Sequence, residues 1–144
     1  MTTDPVCENR PMQRLLAPAV LALGAALAVA GCGGGGGQHL STLAATRACL
    51  AKQSGITSRA IRKDEDFIAF SASAAWRVFF TDNEVTLSFG ADLAEAGRIA
   101  QAYRKYRGKN IGIDDVLRPQ QNVVELWRAH PSDTDLKTID GCLR

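Results

Sequence analysis

The sequence predicts an α+β fold: a small two-layer sandwich in which helices pack on one face of an antiparallel-rich sheet of about four strands. Three observations predict it. Residues 76–89 alternate apolar and polar side chains at a period of two about a central turn, and Asn122 to Trp127 reads as a further strand. Three other stretches carry apolar residues at spacings of three and four behind a capping residue. These patterns succeed one another in the order α-β-β-β-α-β-α, a mixture that suits helices layered against an antiparallel sheet. Of the 144 residues, only 39–144 supply this pattern, which makes one small domain.

The first helix is predicted over 41–53 (STLAATRACLAKQ), where Ser41 or Thr42 offers an N-cap, Leu43 and Leu50 are apolar and Gly55 is a stop signal. Asp64-Glu65-Asp66 reads as a solvated turn, because it lacks the alternating oxygen ligands and the glycine of a calcium loop. Phe67 to Phe70 reads as the strand that follows. The strongest local signal is WRVFFTDNEVTLSF, residues 76–89. With Asp82-Asn83 as a two-residue turn, Trp76 faces Phe89, Val78 faces Leu87 and Phe80 faces Val85, so one face of the hairpin is wholly apolar. Trp76 is accordingly read as core.

Asp92-x-x-Glu95 resembles a capping box and opens a helix with Leu93, Ala96, Ala100 and Tyr103 at helical spacing, ending near Gly108. An irregular stretch containing Pro119 follows, then a strand at Asn122 to Trp127. Ser132-x-x-Asp135 starts the last helix, with Leu136, Ile139 and Leu143 apolar and Cys142 in its final turn.

Residues 1–38 are of a different kind. Leu15 to Ala30 (LLAPAVLALGAALAVA) is apolar except for Pro18 and Gly24. As a helix it spans about 24 Å, short of the roughly 20 residues a bilayer crossing needs, so it suits a signal-peptide h-region better than a permanent anchor. Val29-Ala30-Gly31-Cys32 follows, and this run resembles the lipobox of bacterial lipoproteins. The resemblance implies that Cys32 is acylated, that residues 1–31 are removed as a signal peptide, and that Cys32 becomes the first residue of a mature, membrane-anchored chain. It covers the leader only and implies nothing for the domain. Asp4 and Glu8 offset Arg10 and Arg14 in the n-region, whereas positive n-regions are the rule; a start at Met12 restores the usual charge. Residues 32–38 form the lipidated cysteine and a glycine-rich tether, and Gly33 to Gln38 has a root-mean-square span of roughly 13 Å.

Removal of the leader leaves Cys49 and Cys142 as ordinary thiols, one near each end of the domain. Two cysteines exported to an oxidising compartment are expected to pair. The rival reading makes Cys49 a nucleophile with His130 as its base, in a small envelope hydrolase or thiol enzyme that also draws on Asp114 and Asp115. No supporting motif accompanies them, and no catalytic residue is assigned. No metal or cofactor is expected either: neither cysteine has a second ligand at metal spacing, and His39 and His130 are the only histidines.

The domain carries 15 Lys/Arg against 13 Asp/Glu, too even a balance to imply a nucleic-acid partner. Its most basic stretch, Arg104, Lys105, Arg107 and Lys109, ends the middle helix. These charges complement the helix C-terminus; alternatively, together with Arg98, they form a contact for an anionic surface. The function expected is therefore a non-catalytic binding or structural domain, held by its lipid on the extracytoplasmic side of a cell or outer membrane. Its partner there is an envelope protein or polymer.

Overall fold

A computed structural model describes residues 39–107 and 112–143 of the chain. The order of elements is α1 (Leu43–Leu50), β1 (Thr57–Ala60), α2 (Phe67–Phe70), β2 (Ala74–Phe79), β3 (Glu84–Phe89), α3 (Leu93–Arg107), α4 (Ile113–Val116), β4 (Leu117–Gln120), β5 (Val123–Trp127) and α5 (Asp133–Cys142). The fold is α+β. The five strands form one sheet in the order β1-β2-β3-β5-β4, and every neighbouring pair is antiparallel.

The sheet has helices on both faces, giving three layers where the sequence led us to expect two. Strand β5 shows why: Val123 and Trp127 point into one core with Val78, Val85, Leu87 and Phe89, closed by Leu50 of α1 and Ile139 of α5. Val124 points the other way, into a second core with Ile68 of α2 and Ala96, Ile99, Ala100 and Tyr103 of α3. A strand with apolar residues at both parities has two faces to bury, and each needs its own cover. Leu93, expected in the apolar stripe of α3, is exposed, and Ile99 takes its place in the core.

The hairpin keeps its predicted faces but not its register. Val78 pairs with Val85 and Trp76 with Leu87, two residues from the expected alignment. A two-residue shift preserves which side chains share a face, because the strand period is two. The turn is centred on Thr81-Asp82, with the Phe80 amide donating to the Asn83 carbonyl at 2.8 Å. Asn83 is drawn out of the turn by the end of β5: its Oδ1 accepts from the Ala129 amide at 3.1 Å, and its amide donates to the Ala129 carbonyl at 3.1 Å.

Several elements depart from expectation in type. The strand expected at Phe67 to Phe70 is the short helix α2, because Asp66 caps it, accepting from the amides of Ile68 and Ala69, both at 3.1 Å. Two strands lie where none is expected: β1, the polar edge segment TSRA whose four residues are all exposed, and β4, within the stretch expected to be irregular. At the opposite edge Pro119 sits within β4, a place where a missing amide costs no interior ladder bond.

The open end of the sheet is locked by Asn122. Its Oδ1 accepts from the Ser41 amide at 2.8 Å, and its side-chain amide donates to the carbonyls of Ser41 at 3.0 Å and Gly90 at 2.9 Å. Gly90 lets the end of β3 pass close to the start of α3, where a Cβ would lie 2.7 Å from the Ala96 amide nitrogen. Across the domain, Cys49 of α1 and Cys142 of α5 are joined by a disulfide, their Cα atoms 5.4 Å apart.

Candidate functional site

Cys32 lies outside the described residues, as does Lys109. The other singled-out residues fall in separate places. His130 is exposed and lines an open cavity of about 480 Å³ beside the hairpin turn, with Phe80, Asp82, Ser132 and Asp135 in its wall. Asp114, Asp115 and Cys49 are not part of that wall. The Cys49 sulfur is bonded to Cys142, so the thiol-enzyme reading has no free nucleophile. Among the described residues no group of three or more His, Cys, Asp or Glu is placed to hold a metal ion.

The basic end of α3 is partly neutralised by its own fold. Arg104 donates to Asp114 at 3.1 Å, and Arg107 reaches Asp66 at 3.3 Å. Lys105 makes no ion pair among the described residues and lies over the Tyr106 ring, 5.2 Å from its centroid. The helix end is therefore not a run of free cations.

A more pronounced surface lies beside it, on the outer side of α2 and α3. Because α2 is helical, Ile68 and Ala69 turn inward while Phe67 and Phe70, three residues apart, turn out together. They are 56% and 52% exposed, and Tyr106 of α3, at 59%, meets Phe67 edge-on with ring centroids 5.7 Å apart. Three large aromatic side chains thus share one outer face. Isolated exposed apolar residues are ordinary, whereas these three are grouped.

Asp66 is what holds this face in place. It is buried, and besides capping α2 its Oδ2 accepts from the Tyr103 hydroxyl at 3.2 Å and pairs with Arg107. Burial and the neighbouring Asp66 carboxylate push the Tyr103 hydroxyl well above its ordinary range, so it remains a donor at any physiological pH. Glu65, next to it, is held down to about 2, first by the Arg59 guanidinium, which grips it with two bonds of 2.8 Å. Of the acidic run expected as a solvated turn, Asp64 is exposed within a turn, whereas Glu65 anchors Arg59 and Asp66 caps α2. We expect Asp66→Ala to lower stability by about 2–3 kcal/mol, combining a lost cap with a stranded buried hydroxyl. Urea unfolding checks this, and an unchanged midpoint would show that α2 forms without its cap.

Neither the capping role of Asp66 nor the aromatic face emerged from the sequence. The one local signal was Asp66 itself: an aspartate directly before an apolar run is as good a helix start as it is a turn. The chain matches no protein-family model, no curated protein and no solved structure.

Proposed function

We propose that this protein is a bacterial lipoprotein, a lipid-anchored envelope module whose small domain binds rather than catalyses. The observation that carries the reading is the fate of its cysteines. The chain has four. Cys7 precedes the lipobox-like run and leaves with the leader; Cys32 stands at the position that takes the lipid. Cys49 and Cys142 are bonded to each other, a state that persists in oxidising compartments outside the cytosol. On this reading the mature chain holds no free thiol. Among the described residues no helix is long and apolar enough to cross a membrane, so attachment would rest on the acyl chains. Two or three chains, each methylene contributing about 0.8 kcal/mol, hold far more firmly than one.

Cys32→Ser is expected to abolish fatty-acid labelling of the protein and to leave the domain folded, with its disulfide intact, because a glycine tether separates anchor from core. Metabolic labelling with a fatty acid, together with membrane fractionation after a high-salt wash, makes the test. A wild-type chain that incorporates no label overturns the reading.

A further inference from the structure

We propose that Arg118 is a shared counter-ion whose partner is set by a proton on Glu125. With Glu125 neutral, Arg118 ties the edge strand β4 to α5 through Asp140; with Glu125 ionised, it is drawn inward and that tie weakens. The change is local, a matter of which carboxylate Arg118 serves, and it follows from the fold whether or not the chain carries a lipid.

Arg118 and Glu125 are cross-strand partners on β4 and β5, so their side chains leave the sheet on the same face. Nη1 of Arg118 lies 3.3 Å from Oε2 of Glu125, and its Nη2 lies 3.7 Å from Oδ2 of Asp140 on α5. Gln120, two residues along β4, donates to the other Asp140 oxygen at 3.1 Å. Asp140 thus gathers two polar side chains of β4. One positive charge stands between two carboxylates at different depths: the Glu125 side chain is fully enclosed, whereas that of Asp140 is 40% exposed. Water can solvate Asp140 when Arg118 leaves it, but Glu125 has no such substitute.

That difference makes Glu125 the group that responds to pH. Its Oε1 is buried without a partner among the described residues, and a half-satisfied carboxylate enclosed in a core holds its charge poorly. The charged groups that face it are Arg118 of β4 and Asp140 of α5; its cross-strand neighbour on β3 is Leu87, and α1 closes this core with Leu50. Burial favours the neutral acid and is the largest influence. The Trp127 indole and Arg118 oppose it, Asp140 reinforces it, and the carboxyl is pushed up to about 7. Once ionised, the enclosed carboxylate attracts Arg118 more strongly than the hydrated one does. The coupling is reciprocal, so whatever holds Arg118 at Asp140 also keeps the proton on Glu125.

The experiment follows the side-chain carboxyl and guanidinium NMR signals of the full chain, purified in detergent, from about pH 5 to about pH 8. The Glu125 carboxyl, the Arg118 guanidinium and the Asp140 carboxyl are expected to shift together with one midpoint, and Glu125→Gln should remove that step from the other two signals. Asp140→Asn gives the reciprocal arm. Freed of its second carboxylate, Arg118 should hold ionised Glu125 more firmly, lowering the proton affinity of Glu125 about two- to fivefold, the range of a partly exposed charge pair. Because Asp140 is outside the core, a purely structural role for it would leave that midpoint in place. Arg118 and Asp140 signals that stay flat while Glu125 titrates overturn the exchange of partners. A Glu125 already ionised at the acidic end overturns the switch, and an unaltered Glu125 midpoint in Asp140→Asn overturns the sharing of Arg118.

Discussion

Reduction of the Cys49–Cys142 disulfide is expected to cost the fold about 4 kcal/mol, a large part of the roughly 5–15 kcal/mol available to a domain of this size. The two cysteines are 93 residues apart in sequence, so the bond closes nearly the whole domain into one loop. In the chain-entropy account its effect falls on the unfolded state, which loses freedom in proportion to the logarithm of the loop. In the folded state the bond joins the first helix to the last at the edge of the core that holds Leu50, Trp127 and Ile139. Helix α1 is otherwise held at its start, where the Ser41 hydroxyl donates to the Leu143 carbonyl and the Ser41 backbone pairs with Asn122, and by Arg47 over the Trp76 ring and Leu50 buried against the sheet. Urea unfolding with and without reductant, repeated on Cys49→Ala with Cys142→Ala, measures the effect. Equal midpoints in oxidised and reduced protein would mean that the helices hold each other without the bond.

What the sequence made legible follows from how local each signal is. The caps of α1 and α5 were readable because a hydroxyl three residues ahead of an amide is a local arrangement: Thr42 accepts from Ala45 at 3.3 Å and Ser132 from Asp135 at 3.2 Å. The apolar face of the hairpin was readable because alternation needs only neighbours. Its register was not, since it depends on Asn83 bonding to Ala129, 46 residues away. Strand β1 escaped because TSRA has no buried face; it is a strand only because β2 offers it an edge. The covering of both sheet faces was latent in Val123-Val124, where apolar residues occupy both parities. The aromatic face was missed for a related reason: a four-residue apolar run cannot be told from a strand by periodicity alone, and only the Asp66 cap decides it.

Glu125→Gln is expected to stabilise the protein above neutral pH and to remove most of its pH dependence between pH 5 and pH 8. Glu125 is 0% exposed in the middle of β5. One oxygen accepts from the Trp127 indole at 2.8 Å and from Arg118 at 3.3 Å. The other has no partner among the described residues. Arg118 is shared with Asp140, 3.7 Å away, so its charge is divided between two carboxylates. Burial, the largest influence, pushes the Glu125 carboxyl up from 4.5 to about 7, against the pull of Trp127 and Arg118. The folded state therefore favours the neutral acid. Well below pH 4.5 the carboxyl is protonated in both states and no penalty arises. As the pH rises from there to about 7, the unfolded chain releases this proton while the folded chain retains it, and stability falls. Above pH 7 the loss levels off at about 3 kcal/mol, since each tenfold gain in proton affinity on folding corresponds to roughly 1.4 kcal/mol. Glutamine keeps an acceptor for the indole and carries no charge, while Arg118 retains Asp140. Unfolding free energies at pH 5 and pH 8 give the test: the variant should lie within about 1 kcal/mol of the wild type at the lower pH and exceed it by about 2–3 kcal/mol at the higher. Parallel pH profiles for the two proteins would show that Glu125 is ionised in the fold at pH 5, with Arg118 fully offsetting its burial.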